Sequence, residues 1–406
     1  MAIFYKGVFF LAASAFLGEC IEFIINLILA RELGKHGLGL YMSILPSIFF
    51  IVLLSSFELQ VSISKFIAEK EARYHRSVLH HAIVIAIVFT SCLFFLAMVI
   101  VPSVPVFNSY HPLTRWLVII LIPIISFTSV ARGYFMGKQD MGRIALSNFV
   151  RKIFQLMVLF FLFRFFHFQT EKAVLITIAT LIGSEGVVFV YLVLTFIIQF
   201  QHIKRLPFSN MNRKVVRKKL MAVSIPTTGL RLFTALTNAI QPFLIKEALI
   251  RSGLTSIVAT EQFGMLAGVA MSIGFFPGFI AHSLLVVLIP TISKEYSIND
   301  YATLRKILNH VLSITFFYGV SAVSLYSFFA YPLTSLFFHS TEAAIFLQML
   351  WPFFLFHFFI IPMQAFLIGL GSLKDIFFQS LWSTALAFSI ILWFGSLPEW
   401  RMEGVI

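Results

Sequence analysis

Runs of about twenty predominantly apolar residues recur along the whole chain, and short polar segments separate them. Within each run the apolar residues lie all round the helix instead of keeping to one face. A helix that crosses a bilayer needs roughly 20 such residues, whereas a transmembrane β-strand is about 10 residues long and alternates in polarity. The pattern therefore predicts eleven helical spans, at 8–29, 39–59, 81–101, 116–136, 144–165, 174–198, 221–247, 263–289, 309–330, 346–370 and 375–395. Composition agrees with an all-α polytopic membrane protein: 59% of residues are hydrophobic and 12% charged, against about 25% charged in a soluble domain. The connections are short, so no soluble domain is expected between spans.

Charge then orients the spans. The formal net charge is +13, which in a soluble protein would suggest nucleic acid, but Lys and Arg sit almost entirely between the apolar runs. With the N-terminus inside, nineteen loop cations fall on the inner side and eight on the outer. The positive-inside rule places the N-terminus in the cytoplasm and excludes nucleic acid as the partner this charge serves. Cys20 and Cys92 both lie inside apolar runs and form neither a disulfide framework nor a metal site. Ala13-Ser14-Ala15 looks like a cleavage site, but the apolar run continues to Ala30, so the first helix is expected to be retained.

The basic stretch around 201–219 divides the chain into an N-terminal bundle of six spans (1–200) and a C-terminal bundle of five (220–406). The two halves share weak features in the same order. Ile63-Ser64-Lys65 follows the second span and Ile292-Ser293-Lys294 the eighth; those spans begin near Gly39 and Gly264. The fourth and tenth spans carry a proline and two glycines: Pro123 with Gly133 and Gly137, and Pro362 with Gly369 and Gly371. A duplicated six-helix unit follows, parallel because matching elements fall on the same membrane side. A twelfth span is then expected after the eleventh, yet the sequence ends at Ile406, so either the second bundle is one helix short or the chain is truncated relative to its relatives.

No catalytic motif stands out: there is no P-loop, no His-Glu-x-x-His and no acidic pair in a large outer loop, and no enzyme activity, cofactor or metal is expected. His80-His81 reads as an interfacial pair. The stretch Val61–Arg76 reads as an amphipathic helix on the inner surface, with Ile63, Phe66 and Ile67 facing lipid. The informative residues are ionisable groups inside spans, which are costly to insert. Glu19, Glu22 and Asn26 share one face of the first helix. Thr227, Arg231, Thr234, Asn238 and Gln241 share a face of the seventh, and Ser147, Arg151 and Gln155 a face of the fifth. Such stripes must line a wet cavity or meet other helices. Two readings stand side by side: a cavity in which Arg231, helped by Arg151, holds an anionic headgroup opposite Glu19 and Glu22, or an ion pair such as Glu22 with Arg151 or Arg231 that only holds the bundle together. Lys152 can reach the headgroup region along its apolar stem, and Glu185, between Gly183 and Gly186, reads as a residue of close helix packing.

Several segments resemble polysaccharide-type flippases of the multidrug/oligosaccharidyl-lipid/polysaccharide exporter superfamily. They are Leu29-Ala30-Arg31-Glu32-Leu33-Gly34 with Gly37-Leu38-Gly39-Leu40-Tyr41, then Ile63-Ser64-Lys65, Arg132-Gly133-Tyr134-Phe135-Met136-Gly137 and Ser224-Ile225-Pro226. The run from Ser252-Gly253-Leu254 through Phe263-Gly264 and Pro277 to Leu288-Ile289-Pro290-Thr291-Ile292-Ser293-Lys294 fits as well. Within it the chain resembles the stage V sporulation protein B branch, bacterial relatives of lipid II flippases. The resemblance implies two six-helix bundles around a central cavity. It also implies alternating access for a lipid-linked sugar, a peptidoglycan precursor, with membrane lipid and a coupling cation as further partners. It departs in two places: an acidic residue frequent in the branch's seventh helix is here an amide, near Asn238 or Gln241, and Glu19 and Glu22 replace first-helix arginines of the lipid II flippases. A cation-coupled drug antiporter of the same fold, or a non-transporting membrane partner of the wall or spore machinery, are the alternatives.

Overall fold

The computed structural model describes residues 2–69, 71–203, 213–338 and 341–406, and among them every regular element is helical. The order is α1 (Ala2–Ser56), α2 (Leu59–Glu69), α3 (Ala72–Ser103), α4 (Leu113–Gly137), α5 (Met141–Phe165), α6 (Thr170–Ile203) and α7 (Arg213–Arg251). It continues with α8 (Ser256–Gly264), a π-helical turn Met265–Ala270, α9 (Met271–Gly274), α10 (Gly278–Ser297), α11 (Tyr301–Phe338), α12 (Glu342–Met349), α13 (Trp351–Gly369) and α14 (Leu373–Phe394). Nine segments among the described residues are long and apolar enough to cross a bilayer, as a multi-pass membrane protein requires.

The differences from the eleven expected spans have local causes. The first two spans run on as one element, broken only at Gly34, whose φ of 64° and ψ of 178° leave the helix; without a Cβ, glycine takes that conformation at little cost. The seventh span is longer than expected, 39 residues. The expected linker 201–219 is largely helical at its edges, because α6 continues to Ile203 and α7 starts at Arg213; residues 204–212 lie outside the described residues. The eighth span, expected as one helix over 263–289, is interrupted at 275–277. Pro277 has no N–H and its ring clashes with the carbonyl four residues back, that of Ile273. The hydroxyl of Tyr326 donates to the Ile273 and Gly274 carbonyls at 3.2 and 3.3 Å, which satisfies backbone that lipid could not.

By their contacts the residues group into two units, Ser43–Ile240 and Met1–Met42 with Gln241–Ile406. In the first, α2 does not lie on lipid. Its apolar face, Leu59, Ile63, Phe66 and Ile67, is buried in a core with Val78 and Leu79 of α3, Tyr134 and Phe135 of α4, and Val188 and Leu192 of α6. Two glycines allow this. A Cβ on Gly133 would stand 2.9 Å from the Gln60 carbonyl oxygen, and one on Gly137 would stand 2.6 Å from Ile67 Cβ and 2.8 Å from the Ser64 carbonyl oxygen. The helix has its apolar stripe, as the periodicity predicts, but the stripe has a protein partner that periodicity cannot name.

A similar crossing recurs in the second unit, where α10 packs on α13. A Cβ on Gly369 would lie 2.7 Å from Ile292 Cβ and 3.2 Å from the Ile289 carbonyl oxygen. Both glycine helices end alike. Asp140 N donates to Phe135 O after left-handed Gln139, and Ser372 N donates to Leu367 O after left-handed Gly371, each at 2.9 Å. These contacts match Gly369 to Gly137 and Ile292 to Ile67, one helical turn from a match of the two Ile-Ser-Lys segments. Gly371 matches Gln139 and serves as a helix stop, not as a packing glycine. Gly39 and Gly264, noted as corresponding positions, meet each other: a Cβ on Gly264 would lie 2.6 Å from Gly39 N.

The crossing sets a first prediction. Gly137→Ala forces a methyl against backbone and is expected to cost about 1–3 kcal/mol, lowering the melting temperature of the detergent-solubilised protein. Gly183→Ala, where a Cβ meets open space, is expected to leave it unchanged or raise it. A Gly137→Ala protein as stable as the parent would refute the close α2–α4 crossing.

Candidate functional site

Between α1 and α2 the chain turns through two residues with left-handed backbone, Phe57 (φ 45°) and Glu58 (φ 44°). Non-glycine residues pay roughly 1–2 kcal/mol each for this conformation, and such strain persists where the surroundings over-determine it. Here Ser129 on α4 clamps the corner: its hydroxyl donates to the Ser56 carbonyl at 3.1 Å and accepts from Gln60 N at 3.2 Å. The Phe57 ring stacks on Phe89 of α3, with centroids 4.3 Å apart, and the side chains of Ser62 on α2 and Ser224 on α7 hydrogen-bond to each other.

The corner turns the Glu58 side chain inward, where it is 1% exposed. Its Oε1 accepts from Arg231 Nη1 at 2.7 Å, while Oε2 is buried with no hydrogen-bond partner among the described residues. Arg231 is asymmetric to it, with 56% of its side chain exposed. The pair lies on a cavity of about 280 Å³ that is also lined by Gln60, Ser129, Arg132 and Glu185. Arg132 Nη2 donates to Asn148 Oδ1 at 3.0 Å. Glu185 accepts from Arg151 Nη1 at 2.7 Å, and both of those side chains are largely buried. The cavity and its immediate support thus hold three guanidinium groups against two carboxylates. In a low-dielectric setting that excess of positive charge favours an anion, and arginine forks suit phosphate oxygens.

Of the residues singled out in the sequence, Arg231 lines this cavity, and Arg151 acts on it through Glu185. Ser147 and Gln155 are buried on the same face of α5. On α7, Thr234 and Asn238 are exposed and Gln241 is half-buried; on α1, Glu19 and Glu22 are half-buried. Asn26 donates to the Ser272 hydroxyl of α9 at 3.3 Å. The ion pairs seen for the two arginines are with Glu58 and Glu185, not the Glu22 named from spacing. Close packing does not explain Glu185, because a Cβ on Gly183 or Gly186 would meet nothing within 4 Å. His81 is buried and His80 exposed, with their rings 5.6 Å apart.

Two residues of the cavity escaped the sequence reading. Glu58 falls at the end of an expected span and passes for an interfacial residue. Its signal was there, since Phe57 and Leu59 flank it and the nearest cation along the chain is Lys65. Arg132 was counted among loop cations, yet it belongs to α4, more than a turn before its end at Gly137.

The comparisons with known proteins agree with this architecture. The chain is 50% identical over 403 residues to the sporulation protein YkvU of Bacillus subtilis (strain 168), covering 99% of this chain and 91% of that protein. It is 30% identical to stage V sporulation protein B of the same organism, covering 91% and 73%. To that organism's lipid II flippase MurJ it is 27% identical over 240 residues, 56% of this chain and 42% of the flippase. Among solved structures, an inward-facing multidrug resistance MATE family transporter of the MOP superfamily superposes with a TM-score of 0.75 at 16% identity, covering 95% of this chain and 89% of the transporter. The fold is therefore that of these membrane transporters. A family model described as polysaccharide biosynthesis protein matches residues 4–296, and the chain belongs to that family.

Proposed function

We propose that the protein moves a lipid-linked oligosaccharide, a peptidoglycan precursor used in sporulation, across the bacterial cytoplasmic membrane by alternating access, with its N-terminus in the cytoplasm. The observation that carries this reading is Arg231: a half-exposed guanidinium on a cavity lined by two arginines and two glutamates, one of which, Glu185, is already neutralised by Arg151 behind it. A sugar carried on a diphosphate needs such a partner to leave the headgroup region, because an unpaired charge does not enter hydrocarbon. Arg151 and Arg132 add to the positive field, and Thr234, Asn238 and Gln241 continue the polar stripe along α7. On this reading Glu19 and Glu22 of α1 balance charge when no substrate is bound or hold a coupling cation. The name of one relative, a lipid II flippase, supports the substrate class, and the names of two sporulation proteins support its use in sporulation. The matching α2–α4 and α10–α13 crossings support two related bundles, 1–200 and 220–406.

A charge-deletion cycle tests the role of Arg231. Arg231→Gln strands the buried Glu58 carboxylate and is expected to cost about 1–3 kcal/mol of stability; adding Glu58→Gln removes the stranded charge and restores the fold. If the pair were structural only, transport would return as well. The headgroup reading instead expects movement of a labelled lipid-linked sugar between liposome leaflets to stay about ten- to a hundredfold down. Arg231→Lys is expected to rescue only part of it, since lysine keeps charge but not the fork. Full flipping by the well-folded double variant rejects the idea.

Orientation has its own check. An impermeant thiol reagent added outside intact cells is expected to leave a cysteine at Asn210 unmodified. Its modification from outside would overturn the cytoplasmic N-terminus.

A further inference from the structure

We infer that Glu58 is a proton site linked to the headgroup site: when an anionic headgroup takes Arg231, Glu58 takes a proton. The inference rests on the headgroup reading above and adds to it a ligand that the site must bind with the headgroup. Its basis is the asymmetry of the pair. Arg231 is 56% exposed and can turn to a ligand in the cavity, whereas Glu58 is 1% exposed and held on a corner clamped by Ser129. One of its oxygens, Oε2, is already buried with no hydrogen-bond partner among the described residues. If Arg231 leaves, a bare carboxylate stays in a buried site, now next to the negative charge of the headgroup. Both burial and a nearby anion favour the neutral form of a carboxyl. The guanidinium keeps its own proton throughout, so the exchange balances with one proton, taken from water by Glu58.

Among the described residues the other carboxylate on the cavity, Glu185 of α6, is already held by Arg151 of α5. Arg132 of α4 and Arg231 of α7 are cations on the cavity. On α3, which packs on α2, His75 and His81 are buried, but neither lines the cavity. On α2 itself Lys65 and Glu69 are exposed and pair with each other, two turns from Glu58. A proton bound with the headgroup also removes one unit of the net negative charge of the loaded cavity, which makes its passage through a low-dielectric layer cheaper.

Calorimetry on the full-length protein in detergent, with geranyl diphosphate as probe, tests this in two buffers of different ionisation heat and at several pH values. Proton uptake is taken as the difference between the parent and Glu58→Gln, so that titration of the probe itself cancels. The expected result is that the parent takes up about one more proton than Glu58→Gln on binding. Its affinity, relative to the variant, should rise by up to about tenfold per unit fall in pH, the slope of one linked proton. As a readout that needs no variant, infrared difference spectra of the parent should gain a protonated-carboxyl band when the probe binds. Binding with no such band and no buffer-dependent heat beyond the probe's own titration overturns this inference and leaves the headgroup reading standing. No binding by the parent at any pH overturns both.

Discussion

The close approach of α2 to α4 is the contact on which the charged cavity depends. Gly133 and Gly137 remove the side chains that would hold the helices apart, and Ile63 and Ile67 fill the space. Only with α2 drawn onto α4 can Ser129 reach both sides of the corner, the Ser56 carbonyl and Gln60 N. That clamp in turn keeps Phe57 and Glu58 in left-handed backbone. The carboxylate that results is buried where it would not go by itself, and Arg231 answers it. Small residues, strained corner and ion pair are successive consequences of one packing event.

A buried ion pair adds little stability against a hydrophobic replacement, because desolvation offsets the attraction. Its presence here is better explained by use. The pair is lopsided, with one partner rigid and buried and the other long and half in the open, which is the arrangement for exchange of partners. Arg151 with Glu185 differs: both side chains are largely enclosed, and the pair supports the cavity wall and its field. One ion pair is suited to opening and the other to holding shape.

The recurrence of the glycine crossing at α10 and α13 shows how the second half uses the same device with different residues. The left-handed stop after the glycine is Gln139 in one case and Gly371 in the other, so a search for paired glycines matches the wrong positions. The broken eighth span carries a further adaptation, in which the Tyr326 hydroxyl donates to the Ile273 and Gly274 carbonyls just before the break at Pro277. Backbone groups left open in an apolar medium are costly enough to require such partners.

The sequence by itself determined the class of protein, the helical character and rough location of the spans, the sign of the loop charge and the polar stripes on α1, α5 and α7. These follow from solvation, which acts on each residue according to its own polarity and its helical period. Tertiary structure decided which surfaces meet. Ile63, Phe66 and Ile67 were legible as one apolar face, but lipid and protein are equally apolar, so only packing shows that α4 covers them. Arg231 and Arg151 were legible as costly residues, but their partners, Glu58 and Glu185, lie 173 and 34 residues away along the chain. Glu58 was missed because its burial arises from a backbone turn that no periodicity encodes: an interfacial position in the sequence becomes a cavity wall only once α2 folds back onto α4.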